Sequence, residues 1–207
     1  MPPLLLASTS DSRRELLARL RLPFEAVAPE YEEGAVPGLT PGALAVHHAL
    51  GKARSVARRF PGRLVIGSDQ VAQVGGELLG KPGTEDAAVA QLSAMAGRRV
   101  FFHTGMAVVL GSREETALEV VRATLRPLSL EEIRAYVAVE RPLGAAGSFH
   151  IEGLGIALME AVEGRDFTAL VGLPLIALTS LLERFGVRVL LEAEPGSVAG
   201  CAATGSG

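Results

Sequence analysis

The sequence has little of what marks secreted, membrane-spanning or nucleic-acid-binding proteins. Its 207 residues include a single cysteine, Cys201, which excludes an internal disulfide and favours a cytoplasmic location. No run approaches the roughly 20 apolar residues that a membrane-spanning helix needs. The net charge of -3 argues against a broad basic face for nucleic acid. We therefore expect neither a membrane nor a nucleic acid as a partner.

Aromatic side chains and several common catalytic motifs are also scarce or absent. Aromatics make up 4% of the chain and tryptophan is missing, so the core must consist mostly of leucine, valine, isoleucine and alanine. No GxxxxGK[ST] loop occurs and no GxGxxG segment follows a strand, which excludes P-loop and Rossmann-type sites. A Gly-x-Ser-x-Gly nucleophile elbow is absent as well. The four histidines lack the spacing of metal ligands and are interpreted as structural or exposed.

The order of apolar and polar segments predicts an α/β fold with a mixed central sheet flanked by helices. Strands are predicted at residues 4–7, 24–27, 64–66, 100–110, 117–125 and 187–191. Helices are predicted at 12–20, 41–59, 84–97, from 129 onward, in a short segment ending near 163, and at 173–185. We expect one domain over residues 1–194, followed by a disordered Gly/Ala/Ser tail at 195–207.

The segment at residues 8–14, with the sequence STSDSRR, has the composition of a phosphate site. An apolar strand leads into a hydroxyl-rich turn that begins a helix, where free N–H groups and the helix dipole favour an anion. Arg13 and Arg14 stand in the first helical turn, where cations are unfavourable for the helix itself. Phosphate binding by Ser8, Arg13 and Arg14 would explain them. A capped surface helix with solvated arginines is the alternative.

Asp69 and two lysines are the next candidates for chemistry. Asp69 follows the predicted strand at 64–66, where a carboxylate can serve as a metal ligand or as a base that activates water. The alternative is an aspartate that caps a turn. Lys81 stands between a glycine and a proline, and such a rigid turn lowers the entropy cost of directing its ammonium at a phosphate. Lys52 ends an apolar stretch of the second helix.

Two groups of glutamates remain. The run Glu-Tyr-Glu-Glu at residues 30–33 is typical of a solvated surface, but beside a phosphate site Glu32 or Glu33 could hold a metal. Glu152 lies in the glycine-rich segment 147–155. Its carboxylate could accept hydrogen bonds from the N1–H and N2 amine of guanine, and a cationic methylated base would strengthen that pairing. The alternative for Glu152 is a favourable charge at the start of a helix.

Together these motifs resemble those of the Maf family, in the same order along the chain. The matching segments are Leu5–Ser10 with Arg13-Arg14, Lys52-Ala53, Ile66–Val71, Gly80-Lys81-Pro82 and His103-Thr104-Gly105. The resemblance implies a two-lobed α/β fold with a cleft, related to inosine triphosphate pyrophosphatases. It also implies hydrolysis of a nucleoside triphosphate between the α- and β-phosphates, with Mg²⁺ or Mn²⁺.

The resemblance assigns roles to individual residues. It implies that Asp69 is the proton acceptor that activates water, and that Asp69 and Glu33 hold the metal. It implies that the triphosphate is held by four cations, Arg13, Arg14, Lys52 and Lys81.

Three further positions bear on the substrate. Gln70 and Glu152 are similar to the 7-methyl-GTP branch of the family, whereas the dTTP and UTP branch usually has threonine and glutamine there. Ser12 occupies a third position linked to specificity, where the 7-methyl-GTP branch often has a bulkier residue. We therefore expect a 7-methyl-GTP pyrophosphatase that removes modified nucleotides. A dTTP/UTP pyrophosphatase and a non-catalytic nucleotide-binding regulator of cell division are the alternatives, and a homodimer is compatible with the sequence.

Overall fold

A single mixed sheet forms the centre of the protein. The computed structural model describes residues 2–194, whose strands follow the order β2-β1-β3-β5-β6-β7, with β4 paired to β3. Strand β1 is parallel to both β2 and β3, and all other pairings are antiparallel. The strands are β1 Leu4–Ala7, β2 Phe24–Val27, β3 Val65–Val74, β4 Glu77–Leu79, β5 Arg99–Leu110, β6 Arg113–Leu125 and β7 Met159–Glu163. The predicted α/β class with a mixed sheet is confirmed.

The helices flank this sheet, and local capping explains where several of them begin. The side chains of Ser10, Thr40 and Thr84 each accept a backbone N–H in the first turn of the helix that follows. Ser129 and Glu132 form a capping box. The helices are α1 Asp11–Ala18, α2 Pro41–Arg59, α3 Glu85–Met95, α4 Leu130–Glu140, α5 Thr168–Val171, α6 Leu175–Arg184 and α7 Val189–Glu192, with a 3₁₀ helix at Leu154–Leu158.

Helix α2 lies very close to the sheet because small residues face each other across the contact. A Cβ at Gly67 on β3 would overlap the carbonyl oxygen of Ala49, and one at Gly105 on β5 would overlap the backbone of Ala45 and Val46. Gly105 stands opposite Asp69 in the β3–β5 register. The helix backbone therefore packs directly over the middle of β3.

Of the three apolar clusters within residues 2–194, two mark the lobes of the molecule, and β3 and β5 run through both. One cluster joins β1, α1 and α6 to Ile66 and Val108. The other joins α3 and α4 to Ala72 and Phe102. Asp69 lies on β3 between these two clusters. The two lobes and the cleft that the family resemblance implies are confirmed.

Two predicted elements near the C-terminus have the wrong type. The segment predicted as a strand at 187–191 ends in the short helix α7, whose backbone bonds close within the segment, as from Ala193 N–H to the Val189 carbonyl. The short helix predicted to end near 163 is a 3₁₀ turn followed by strand β7. There β6 offers an open edge, and pairing with it outweighs local helix propensity.

The boundaries of several other elements also differ from the prediction. Strand β6 begins at Arg113 and not at 117, and helix α1 covers Asp11–Ala18 and not 12–20. Strand β3 does not end at Ile66 but continues to Val74, so Asp69 lies within a strand and not in a turn after it. The helix predicted at 173–185 begins at Leu175, because Pro174 disfavours helical backbone at the residue before it. The predicted tail at 195–207, with Cys201, lies outside the described residues. No helix within residues 2–194 combines the length and apolarity needed to cross a membrane.

The contact between α2 and β5 leads to a prediction about stability. Replacing Gly105 with alanine places a methyl group against the backbone of α2, which cannot move aside as a side chain can. We expect Gly105→Ala to lower the free energy of unfolding by about 1–3 kcal/mol. Urea denaturation measures the change, and Gly34→Ala is the matched control because nothing lies within 4 Å of its added Cβ. Equal stabilities of the two variants would contradict the close contact.

Candidate active site

A cleft of about 450 Å³ opens between the two lobes. This volume lies within the roughly 300–1,000 Å³ typical of small-molecule sites. It gathers residues from the turn before α1, the middle of β3, the segment 144–152 and the end of α5. Nine of the predicted site residues line it: Ser8, Ser12, Arg13, Glu33, Lys52, Asp69, Gln70, Lys81 and Glu152. The structure therefore brings together residues that are far apart in the sequence.

Arg14 is the one predicted site residue that does not line the cleft. Its guanidinium lies 3.1 Å from the Asp11 carboxylate one turn away on α1, and its side chain is about half exposed. Arg13 points to the cleft and Arg14 points away, because neighbouring helical residues face different directions. Phosphate binding by Arg14 therefore stays a prediction without geometric support.

Lys52 occupies the floor of the cleft between two carboxylates. Its Nζ lies 2.6 Å from Asp69 Oδ1 and 2.6 Å from Glu33 Oε1. The side chains of Lys52 and Asp69 are only 6% and 7% exposed. An ammonium has three N–H donors, so one remains for a further acceptor such as a phosphate oxygen. Of the two glutamates that the sequence left open, Glu33 is the one that reaches the cleft, because Glu32 does not line it.

Arg13 is held in place by the backbone of the opposite segment. Its Nε donates to the carbonyl oxygen of Gly172 at 2.8 Å, and its Nη groups have no hydrogen-bond partner within residues 2–194. Burial lowers the pKa of Arg13, while the nearby charges of Asp69 and Glu33 act in the opposite direction. The guanidinium still stays charged at neutral pH, because an arginine side chain does not deprotonate in proteins. Its two free Nη groups are available to bind an anion.

The turn that precedes α1 is fixed by its own hydroxyl groups. The buried Ser8 Oγ accepts the N–H of Ser10 at 3.1 Å, and Ser10 Oγ accepts the N–H of Arg13 at 3.4 Å. These bonds hold the first turn of α1 at the cleft, where the positive end of the helix dipole favours an anion.

Gln70 is tied to the structure by its amide group. Its Nε2 donates to the carbonyls of Ala169 and Leu170, at 2.8 and 3.2 Å, and lies 3.1 Å from Thr104 Oγ1. The Thr104 hydroxyl in turn donates to the Ala169 carbonyl at 2.8 Å. All these neighbours can accept, so the amide nitrogen must face them and the amide oxygen keeps its acceptor capacity.

The turn between α5 and α6 contributes to the site but was not predicted from the sequence. The Gly172 carbonyl accepts from Arg13 and also from Ser68 Oγ, at 2.9 Å. The turn is fixed by Asp166, which is 4% exposed and accepts from the N–H and hydroxyl of Thr168 and from the N–H of Ile176. An Asp-x-Thr pattern before an apolar helix signals capping, but it does not reveal a contact to Arg13 across the sequence.

Glu152 and Lys81 stand at the rim of the cleft. Glu152 is exposed, and its Oε1 accepts the Ser12 hydroxyl at 2.8 Å, which links the segment 147–155 to α1. Lys81 is exposed and forms no ion pair within the described part of the chain. Its charge is nevertheless felt at Glu33, whose pKa it helps to lower.

Glu33 is ionised at neutral pH. Burial alone would raise its pKa, but the hydrogen bond and charge of Lys52, together with the charges of Lys81 and Arg13, outweigh burial and lower the pKa. No cluster of three or more metal-binding side chains occurs between residues 2 and 194. Glu33 and Asp69 form a pair of carboxylates instead, and Mg²⁺ sites commonly combine one or two carboxylates with substrate phosphate oxygens.

Comparison with known proteins gives a consistent result. The model of a family described as Maf-like protein matches residues 3–185. A 7-methyl-GTP pyrophosphatase of Xanthomonas axonopodis pv. citri is 51% identical over 189 residues, which cover 91% of this chain and 100% of the relative. Another, of Syntrophotalea carbinolica, is 49% identical over 193 residues, covering 92% of this chain and 98% of the relative.

A solved structure supports the fold alone. The structure of a HAM1 protein from Coxiella burnetii matches with a TM-score of 0.52 and 16% sequence identity. The match covers 89% of this chain and 100% of that one.

The lowered pKa of Glu33 predicts how stability depends on pH. A carboxyl whose pKa is lower in the folded protein contributes stability above its unfolded value, here 4.5, and loses it as the pH falls through the folded value. We therefore expect the difference in unfolding free energy between wild type and Glu33→Gln to shift in favour of wild type as the pH rises toward 4.5, and to level off above that pH. Urea denaturation between about pH 3.5 and pH 7 tests this. A difference that stays constant with pH would show that Lys52 does not stabilise the Glu33 carboxylate.

Proposed function

This chain belongs to the Maf family, as its motifs predict, and we propose that it hydrolyses 7-methyl-GTP to 7-methyl-GMP and pyrophosphate. The observation that supports this most directly is Lys52, held between Asp69 and Glu33 at the floor of the cleft. Relatives of about half identity, which match over nearly their whole length, are named for this reaction. The two alternatives are pyrimidine nucleotides as substrates and a non-catalytic regulator. Ser12, where the 7-methyl-GTP branch often has a bulkier residue, is the position at which this chain departs from that branch.

Three cations of the cleft bind the triphosphate in this proposal. Arg13 offers its two free Nη groups, Lys52 its remaining N–H, and Lys81 its charge at the rim. The fixed turn at Ser8 and the first turn of α1 add N–H groups for the same anion. Phosphoryl transfer depends mainly on positioning and charge neutralisation, and a pre-built set of donors supplies both.

Asp69 is the general base. Its Oδ1 is bound to Lys52, and its Oδ2 has no hydrogen-bond partner within residues 2–194, so Oδ2 can accept a proton. A water that gives its proton to Asp69 attacks the α-phosphorus, the bond to the bridging oxygen breaks, and pyrophosphate leaves. Lys52 fixes the orientation of the carboxylate throughout.

A divalent cation, Mg²⁺ or Mn²⁺, is the cofactor that we propose. Asp69 and Glu33 would hold it, because together they carry two negative charges against the single charge of Lys52. When bound, it supplies further neutralisation of the triphosphate. The two carboxylates with substrate oxygens and water make a ligand set of the kind that suits Mg²⁺.

Glu152 selects the base. Its Oε1 is held by Ser12, which leaves Oε2 to accept from the guanine edge. Methylation at N7 makes the base cationic, and a hydrogen bond between a cationic donor and a carboxylate is stronger than one from a neutral donor. The role that follows is removal of modified nucleotides from the triphosphate pool. A cytoplasmic location, a homodimer and the lack of nucleic-acid or membrane partners stay predictions.

Products from a panel of triphosphates test the reaction and the substrate together. With Mg²⁺ or Mn²⁺, we expect 7-methyl-GTP to be hydrolysed faster than GTP, dTTP, UTP or ITP, with monophosphate and pyrophosphate as the only products. Chelation with EDTA should abolish turnover. Faster hydrolysis of dTTP or UTP would overturn the substrate, and release of single phosphate would overturn the site of attack. Binding without turnover would support the regulator.

Substitution of Asp69 tests the base. We expect Asp69→Asn to lower kcat by about 10²-fold or more, because an amide cannot take the proton from water. Asp86→Asn is the matched control, since Asp86 is exposed in the first turn of α3. Steady-state kinetics and a melting curve for each variant separate loss of catalysis from loss of folding. An Asp69→Asn protein that keeps more than about a tenth of wild-type kcat would exclude Asp69 as the base.

A further inference from the structure

Glu152 stands at the tip of a tight turn. The carbonyl of His150 closes this turn by accepting two backbone N–H groups, from Gly153 at 3.2 Å and from Gly155 at 3.0 Å. Any Cβ at Gly155 would overlap the His150 backbone, so the turn needs glycine there. The position of Glu152 therefore depends on how the turn from His150 to Gly155, here called the base turn, is held.

Helix α4 holds both ends of the base turn. The N–H of His150 donates to the Tyr136 hydroxyl at 3.0 Å, and the N–H of Leu154 donates to Glu140 Oε2 at 3.4 Å. Tyr136 and Glu140 are four residues apart, so they lie on the same face of the helix. The other carboxylate oxygen, Glu140 Oε1, lies 3.6 Å from His150 Nδ1.

The surroundings of these two side chains make the anchoring specific. Tyr136 is 4% exposed, and burial raises its pKa to about 12, so its hydroxyl remains neutral and can accept the His150 N–H. A Cβ at Gly153 would overlap the Glu140 carboxylate, so this glycine allows the carboxylate to lie against the turn. Neither Tyr136 nor Glu140 lines the cleft.

We propose that Tyr136 and Glu140 are positioning residues that set selectivity for a cationic base by fixing the base turn and, through it, Glu152. The inference rests on the proposed function in one respect, namely that Glu152 contacts the base. The two side chains affect only the part of the cleft around Glu152, here called the base half. The cations that bind the triphosphate lie elsewhere, on α1, α2 and the turn at Lys81. Loss of Tyr136 or Glu140 should therefore change the choice of substrate more than the chemistry.

Two conservative variants test this role. Tyr136→Phe removes the acceptor and keeps the ring, and Glu140→Gln keeps the shape while removing the charge and one acceptor oxygen. We expect each to lower kcat/KM for 7-methyl-GTP by about tenfold, mainly through KM, which is less than the roughly 10²-fold that a displacement of 1 Å can cost. For GTP we expect a smaller decrease, so that the ratio of the two kcat/KM values falls.

The ratio is the decisive measurement because both substrates are assayed on one preparation. A partly unfolded variant lowers both values equally and leaves the ratio unchanged. Glu131→Gln is the matched control, since Glu131 is an exposed glutamate in the first turn of the same helix. We expect its kinetics and its ratio to equal those of wild type.

A double-mutant cycle with Glu152→Gln tests whether the effect passes through Glu152. If it does, Tyr136→Phe causes no further fall in the ratio once Glu152 has been replaced. An unchanged ratio in both single variants, or an equal fall in the presence and absence of Glu152, would overturn the inference. The wild-type panel tests the proposed function separately. If another triphosphate proved to be the preferred substrate, a fall in the ratio that requires Glu152 would still support positioning by α4, and an unchanged ratio would overturn it.

Discussion

The structure of the site depends on one interaction, the burial of the Lys52 ammonium group between two carboxylates. A buried charge is very costly without a partner, so Lys52, Asp69 and Glu33 must keep their spacing for the fold to be stable. That spacing requires α2 to lie almost in contact with β3 and β5, which is why glycines stand on the sheet where the helix crosses it. Removing Lys52 would leave the buried Asp69 carboxylate without its partner, which is more harmful than replacing both side chains with apolar groups. The same constraint places a carboxylate with a free oxygen beside cations, which is what water activation needs.

The turn between α5 and α6 fixes further residues of the phosphate half of the cleft, which is the part lined by Arg13, Lys52 and Asp69. Asp166 accepts three hydrogen bonds from Thr168 and Ile176 and thereby fixes the course of the backbone. The carbonyl groups of this stretch then receive donors from three different elements: Arg13 from α1, Ser68 and Gln70 from β3, and Thr104 from β5. A network in which buried donors and acceptors are matched holds its members rigidly. Arg13 is therefore oriented before a substrate arrives, and little side-chain entropy is lost when an anion binds.

The sequence predicted local features well where the cause was local. Capping residues fixed the starts of α2 and α3, and helix α2 has its predicted limits at Pro41 and Arg59. The motifs named nine of the residues that line the cleft, because a family pattern records which positions act together, but they did not name the stretch from Leu170 to Gly172. The pairing of strands that are far apart in the chain could not be predicted from the sequence. β7 forms because β6 has an open edge, and β3 continues through Asp69 because β5 pairs with it on one side along its whole length. The contact between Arg13 and the Gly172 carbonyl joins residues 159 positions apart, and no local pattern encodes such a contact.

The two halves of the cleft differ in how they are built, and this difference bears on specificity. The phosphate half consists of strands, helix starts and a buried charge cluster, so a small displacement there would disturb both stability and chemistry. The base half depends on one turn that touches α4 at two points and α1 at one, through the Ser12 hydroxyl. A change in that turn alters which base is accepted without moving Asp69, because the turn forms no hydrogen bond or ion pair with Asp69, Lys52 or Glu33 within residues 2–194. Such a division lets one reaction be retained while the substrate changes, since the residues that activate water are held by a different set of contacts from those that recognise the base.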